Sequence, residues 1–207
     1  MLRVALTGGI ATGKSYVLAR LRERGISTID ADDLVHEALG PGTPTTQAIA
    51  TQFGEVFLRP DGGIDRPLLA ARVFTDPKSR LQLEAIIHPV VYERIRTWYE
   101  TLDRPLGIAS IPLLYETHRE GDFDFVAVTI CPPEQQLQRL LERDGMSEAE
   151  ARRRIQSQMA GEEKARRANF VILTGGTTLS TDRQVDELLI AVDSFQTQRR
   201  KGAGTAG

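Results

Sequence analysis

Leu2-Arg3-Val4-Ala5-Leu6-Thr7-Gly8-Gly9-Ile10-Ala11-Thr12-Gly13-Lys14-Ser15 is the stretch from which the fold follows. Leu2 to Thr7 is a short, largely apolar run that ends in paired glycines, the pattern of a buried strand feeding a turn. Gly8 to Ser15 matches G-x-x-x-x-G-K-[ST] with no position missing. Polyphosphate needs many donors at short range, and glycines let the backbone curl so that successive N–H groups converge. From Lys14 to Arg24 the apolar residues Val17, Leu18 and Leu21 recur at helical spacing, and Gly25 stands at the C-terminal cap position. A strand, a phosphate loop and a helix in that order predict a nucleoside triphosphate site. Within it Lys14 faces the β- and γ-phosphates, the helix N-terminus adds its dipole, and the Ser15 hydroxyl is a ligand for Mg²⁺.

Outward from this stretch, strands and helices alternate. Ile26 to Ile29 reads as a second strand, with Asp30 as N-cap of a helix over Ala31 to Leu39. After the break at Pro41-Gly42-Thr43-Pro44, helical patterns dominate. They cover Thr45 to Phe53, Arg66 to Phe74, Pro77 to Ile87 and Pro89 to Thr101, with a turn at Asp61-Gly62-Gly63. Strands resume at Leu106 to Ile111 and Phe123 to Ile130. A helix follows over Glu134 to Arg143, then a charge-rich helix or helical pair over Ser147 to Lys164. A strand over Phe170 to Leu173 and a helix over Thr181 to Phe195 complete the pattern. This alternation predicts an α/β core with a five-stranded parallel sheet flanked by helices.

Composition narrows the function classes. The chain has 207 residues, 41% of them hydrophobic, and a formal net charge of −2. That suits a globular core and lacks the basic excess of a nucleic-acid surface. Cys131 is the one cysteine, which rules out an internal disulfide and fits a cytoplasmic protein. No stretch approaches the roughly 18 apolar residues of a membrane span, and the N-terminal apolar run is too short for a signal-peptide core. No cluster has zinc-like spacing. Residues 198–207 read as a flexible tail.

Several side chains are candidates for chemistry. Asp32 follows the second strand at the carboxyl end, where ligands of parallel sheets bind, and Asp30 already fills the cap position. A kinase needs such a carboxylate to align the acceptor hydroxyl or to hold metal. Gln135, Arg139 and Arg143 lie four apart and share a helix face, where arginines can clamp a transferring phosphoryl group. The charged stretch beyond them, with Arg152, Arg153, Arg154, Lys164, Arg166 and Arg167, reads as a mobile lid. His88 precedes Pro89 between two expected helices, as a hinge or a ligand contact. Glu116 ends the run Pro112-Leu113-Leu114-Tyr115-Glu116 and either faces the crevice or caps the next turn.

Taken together, these elements closely resemble the dephospho-coenzyme A kinase family. The similar segments are Leu6 to Ser15, Ile29 to Asp32, Asp61-Gly62 with Asp65-Arg66, His88-Pro89, Ile111 to Glu116, Gln135 with Leu137 and Arg139-Leu140, Arg143 to Gly145, Gln158 and Ala168. The resemblance implies ATP-dependent phosphorylation of the ribose 3′-hydroxyl of dephospho-coenzyme A, the last step of coenzyme A biosynthesis. It implies a nucleotide-binding core over 1–40 and 105–200, a lid at about 144–166 within it, and a helical acceptor domain over 41–104. ATP contacts would come from Gly8, Ala11, Thr12, Gly13, Lys14, Ser15, Tyr16, Arg139, Arg143 and Thr174. Asp32, His88, Leu114 and Glu116 would meet the acceptor, with Asp32, Lys14 and Arg139 catalytic. A monomer or weak homo-oligomer is expected, with dephospho-coenzyme A as partner and neither nucleic acid nor membrane.

Three positions depart from the family pattern. Ala11 stands where glycine is usual, which is strained if its φ is positive. Tyr16 replaces threonine, and Thr174 replaces an asparagine near the adenine end. A hydroxyl has one donor and lacks an amide's paired donor and acceptor. The rival readings are another small-molecule phosphate-loop kinase and a nucleotide-binding protein without turnover. A GTPase would need an Asn-Lys-x-Asp motif, which the sequence does not contain.

Overall fold

The computed structural model describes residues 1–204. In chain order, β1 (Leu2–Gly8) leads through the phosphate loop into α1 (Lys14–Glu23), then β2 (Ser27–Asp30). Four helices follow: α2 (Ala31–Ala38), α3 (Pro44–Phe53), α4 (Arg66–Thr75) and α5 (Pro77–Thr101). The chain then returns through β3 (Leu106–Ser110), β4 (Phe125–Ile130), α6 (Pro133–Asp144), α7 (Glu148–Gln156), α8 (Gly161–Arg167), β5 (Phe170–Leu173) and α9 (Thr178–Gly204). The strands form one five-stranded sheet in the order β2-β3-β1-β4-β5. β1 pairs in parallel with β3 (Val4 with Ile108) and with β4 (Leu6 with Ala127), and β4 pairs in parallel with β5 (Thr129 with Ile172). Among the described residues, no helix is long and apolar enough to cross a membrane.

Residues 1–28 together with the described residues from 103 onward make one compact unit and residues 29–102 a second. In the first, β1 is central, so both its faces need apolar cover; Val4, Ala5 and Leu6 are fully buried. One face packs Leu2, Val4, Leu6, Ile108 and Ile172 against Val17, Leu18 and Leu21 of α1 and Val185, Leu188 and Val192 of α9. Gly25, at φ 75°, closes α1 by donating to Arg22 O at 2.9 Å, the left-handed cap expected there. Helix α9 runs through to Gly204, across most of the segment expected as a tail; residues 205–207 lie outside the described residues.

In the second unit, α5 corrects one expectation. Pro77 to Thr101 is a single helix with Pro89 inside it, where two helices were expected to meet at His88-Pro89. Proline removes one backbone donor and crowds the preceding turn. The buried stripe Ile87, Val91, Ile95 and Tyr99 repeats every four residues across that point. Its packing holds the helix continuous, as tertiary contacts commonly do for a single proline. Asp30, Thr43, Asp65 and Asp76 each cap a helix of this unit by accepting a backbone N–H through the side chain.

Candidate active site

The phosphate loop lies at the carboxyl end of β1, and its shape is fixed by contacts that admit no larger residues. A Cβ on Gly8 would lie 2.2 Å from Thr129 Oγ1 and 2.8 Å from Thr129 O, so only glycine fits. Thr12 is buried; its Oγ1 donates to Gly9 O at 2.8 Å and pairs with Thr129 Oγ1 at 2.8 Å. Gly13 has φ 85° and is the N-cap of α1, with no side-chain cap and no acidic residue in the first turn. Among the described residues, no protein acceptor takes the backbone N–H of Gly13, Lys14 or Ser15. An uncapped helix start with open N–H groups is an anion site. Lys14 is buried, and among the described residues no carboxylate pairs with it. Ser15 is exposed, with its hydroxyl open.

The three departures from the family pattern resolve differently. Ala11 has φ 58°, the left-handed conformation that is strained for a residue with a Cβ. Tyr16 reaches α9, where its hydroxyl donates to Asp182 Oδ1 at 2.9 Å, and the Arg20 guanidinium sits 5.2 Å over its ring. Its ring therefore braces α1 against α9. Thr174 is buried, and its hydroxyl donates to Thr12 O at 2.7 Å and to Ile130 O at 3.1 Å. That hydrogen is committed to the backbone of the loop and of β4.

Helix α6 contributes the arginine face. Arg139 Nη2 donates to Thr174 O at 2.7 Å and Nη1 to Thr174 Oγ1 at 3.4 Å, while Gln135 Nε2 donates to Gly175 O at 3.0 Å. Arg139 is thus tied to the residue that holds the phosphate loop, and it also hydrogen-bonds the Cys131 thiol. Arg143 is mostly exposed and pairs with Asp144 at 2.6 Å, on the same face one turn farther along.

A second charged constellation lies at the end of β3. Lys164 is fully buried; its Nζ donates to Pro112 O at 3.0 Å and lies 2.9 Å from Glu116 Oε1. Burial pushes the Lys164 ammonium down, Glu116 opposes this, and nearby Lys14 adds to the lowering; the net pKa is below the usual lysine value. Glu116 Oε1 also accepts Met159 N at 2.9 Å, just ahead of α8. Lys164, expected as one of the charges of a mobile lid, is the buried anchor of α8. Leu114 is fully buried and presents no side-chain surface to a ligand.

In the second unit, Asp32 lies exposed in the first turn of α2, and its N–H donates to Asp30 Oδ1 at 3.1 Å. Asp30 is thereby the cap, leaving Asp32's carboxylate outside that role. His88 is half-buried on α5, edge-on to Tyr92 with ring centroids 6.2 Å apart. Sequence reasoning gave no role to Gln136 or Thr129, no contact to Gln158, and to Lys164 only a place among the charges of the lid. Gln158 belongs to the family pattern, which was its one signal; the others act through contacts more than 50 residues apart in sequence.

The family described as "Dephospho-CoA kinase" matches residues 2–179. The chain belongs to the dephospho-CoA kinase family. It is 46% identical over 189 residues to the dephospho-CoA kinase of Anaeromyxobacter dehalogenans, covering 90% of each chain. It is 41% identical to that of Bacillus cereus, covering 90% of this chain and 94% of the relative. Among solved structures, a Thermus thermophilus protein superposes with a TM-score of 0.82 at 32% identity, over 92% of this chain and 96% of that one. The dephospho-CoA kinase of Campylobacter jejuni superposes with a TM-score of 0.69 at 26% identity, with the same coverage. Shikimate kinase from Acinetobacter baumannii, at 17% identity and a TM-score of 0.56, shares the fold.

Proposed function

We propose that this chain performs its family's reaction, the transfer of the γ-phosphoryl group of ATP to the ribose 3′-hydroxyl of dephospho-coenzyme A, through the residues assigned below. The observation that carries the assignment is the open start of α1, whose N–H donors and unpaired, buried Lys14 have no partner among the described protein groups. A polyphosphate supplies the missing acceptors. Lys14 and Arg139 stabilise the charge that spreads over the transferring group, and Arg143 adds to it when freed from Asp144. Backbone groups rather than Thr174 read the base.

The protein offers one exposed hydroxyl, Ser15, at the loop, and no group of three carboxylate, histidine or cysteine side chains among the described residues forms a cage of its own. That donor set fits Mg²⁺, which keeps several waters and is shared with substrate phosphates. Mg²⁺ held there would offset charge on the β- and γ-phosphates.

Asp32 aligns the acceptor hydroxyl and takes up its proton, the helices of residues 29–102 hold the coenzyme A portion, and His88 contacts it. Glu116 and Lys164 fix the base of α8, with residues 144–166 as the lid. The single cysteine fits a cytoplasmic enzyme, acting as a monomer or weak homo-oligomer without nucleic acid.

The test is Asp32→Asn in an ADP-release assay with dephospho-coenzyme A as acceptor. Turnover should fall at least ~100-fold, with the KM for ATP within about threefold of wild type. Turnover like that of wild type would remove Asp32 from the catalytic role.

A further inference from the structure

The Ile10 peptide is held from both sides by residues outside the phosphate-loop motif. Gln136 Nε2, on α6, donates to Ile10 O at 2.7 Å. Gln158 Oε1, in the turn between α7 and α8, accepts Ile10 N at 2.7 Å. These bonds fix two successive peptide planes. The second of them, Ile10 C=O with Ala11 N–H, is the plane against which the φ of Ala11 is measured. On the far side, Thr12 N donates to Gly9 O at 3.3 Å, and Thr12 O is held by Thr174. Ala11 sits between these fixed planes at φ 58°. Strained backbone persists only where its surroundings over-determine it.

We propose that Gln136 and Gln158 are positioning residues for nucleotide binding, acting on Ala11. They hold it in the left-handed conformation that leaves the N–H groups of Gly13, Lys14 and Ser15 open to phosphate. This rests on the reading of the loop as the ATP site and is independent of the acceptor's identity. It also makes the turn between α7 and α8 part of the loop's support, so a change at Gln158 reaches the phosphates without touching them.

The magnitude follows from populations. An L-residue with a Cβ disfavours the left-handed form by about 1–2 kcal/mol. Released from its clamp, Ala11 would hold the competent form about a tenth of the time, and affinity would drop by that fraction. Glycine takes positive φ about as readily as negative. An Ala11→Gly loop would therefore lose only about twofold.

The experiment measures Mg-ADP dissociation constants by calorimetry, with no acceptor present, for Gln136→Met and Gln158→Met, each alone and combined with Ala11→Gly. Methionine keeps the volume and removes the hydrogen-bonding group. A loss of about tenfold in the Ala11 background that shrinks to about twofold with glycine supports the proposal. Equal losses in both backgrounds, or none in either, overturn it. If Gln136→Met fails to fold, the Gln158→Met pair decides, since Gln158 lies in a turn outside the helices. An unmutated chain that binds Mg-ADP but forms no coenzyme A from dephospho-coenzyme A would count against the acceptor reading alone.

Discussion

Thr174→Val separates a nucleotide contact from a structural tie. Valine keeps the shape and removes the hydroxyl, so Thr12 O loses its donor at 2.7 Å, while Ile130 O keeps the backbone N–H of residue 174 at 2.8 Å. One hydrogen serves both carbonyls, so about one bond is lost, and the Thr12 carbonyl is left buried without its partner. That costs about 1–3 kcal/mol. Arg139 keeps its 2.7 Å bond to Thr174 O, which spares α6 from moving. At about 2–4 °C per kcal/mol for a chain of this size, the melting temperature should fall by about 4–8 °C for a mid-range loss. The KM for ATP should rise, because the tie ends beside Gly13, where a Cβ would already meet Thr174 at 3.3 Å. The ATP-to-GTP preference should stay unchanged. Scanning calorimetry and steady-state kinetics with both nucleotides supply the readout. A melting temperature within about 1 °C of wild type, together with an altered base preference, would refute the structural reading and restore Thr174 to the base.

Lys14→Met should lower kcat/KM for ATP by at least ~100-fold, because it removes the only side-chain charge buried in the loop; stopped-time ADP release measures it. Lys164→Met should destabilise the fold by about 3 kcal/mol, since Glu116 is left partly buried without its cation. Adding Glu116→Gln should recover part of that loss in urea unfolding. Asp124 concerns pH. Burial pushes its carboxyl up, but the Arg3 N–H at 2.8 Å and the Arg199 guanidinium outweigh burial and set its pKa below the ordinary 3.8. A lowered folded pKa means the stabilisation is complete above the ordinary carboxylate value and is lost as pH falls through the folded one. The melting-temperature gap between wild type and Asp124→Asn should be constant above about pH 5 and close below pH 4. A gap that persists unchanged into strong acid would contradict this.

The legible parts of the molecule were those whose cause is local. The glycines and Lys14 of the loop, the apolar run of β1 and the Asp30 cap act within a few residues of themselves, so a motif records them. The sheet followed from the alternation of elements. Pro89 misled because its local cost was overruled by the stripe from Ile87 to Tyr99, a property of packing. Lys164 misled because its helix neighbours Glu162 and Arg166 are exposed. One position on a helical wheel buries an ammonium against Pro112 O, 52 residues away. Gln136 and Gln158 were out of reach for the same reason, their partner being Ile10, 126 and 148 residues distant. Ala11 was recognised as a conditional strain, and the condition, a positive φ, holds.

The measurement closest to the central claim is product formation by the purified chain with Mg²⁺ and ATP, offered dephospho-coenzyme A, AMP, adenosine or no acceptor in parallel. ADP release should depend on dephospho-coenzyme A, with one coenzyme A phosphorylated at the ribose 3′-position for each ADP. ADP release at the same rate with AMP or adenosine, or nucleotide binding without coenzyme A formation, would contradict it.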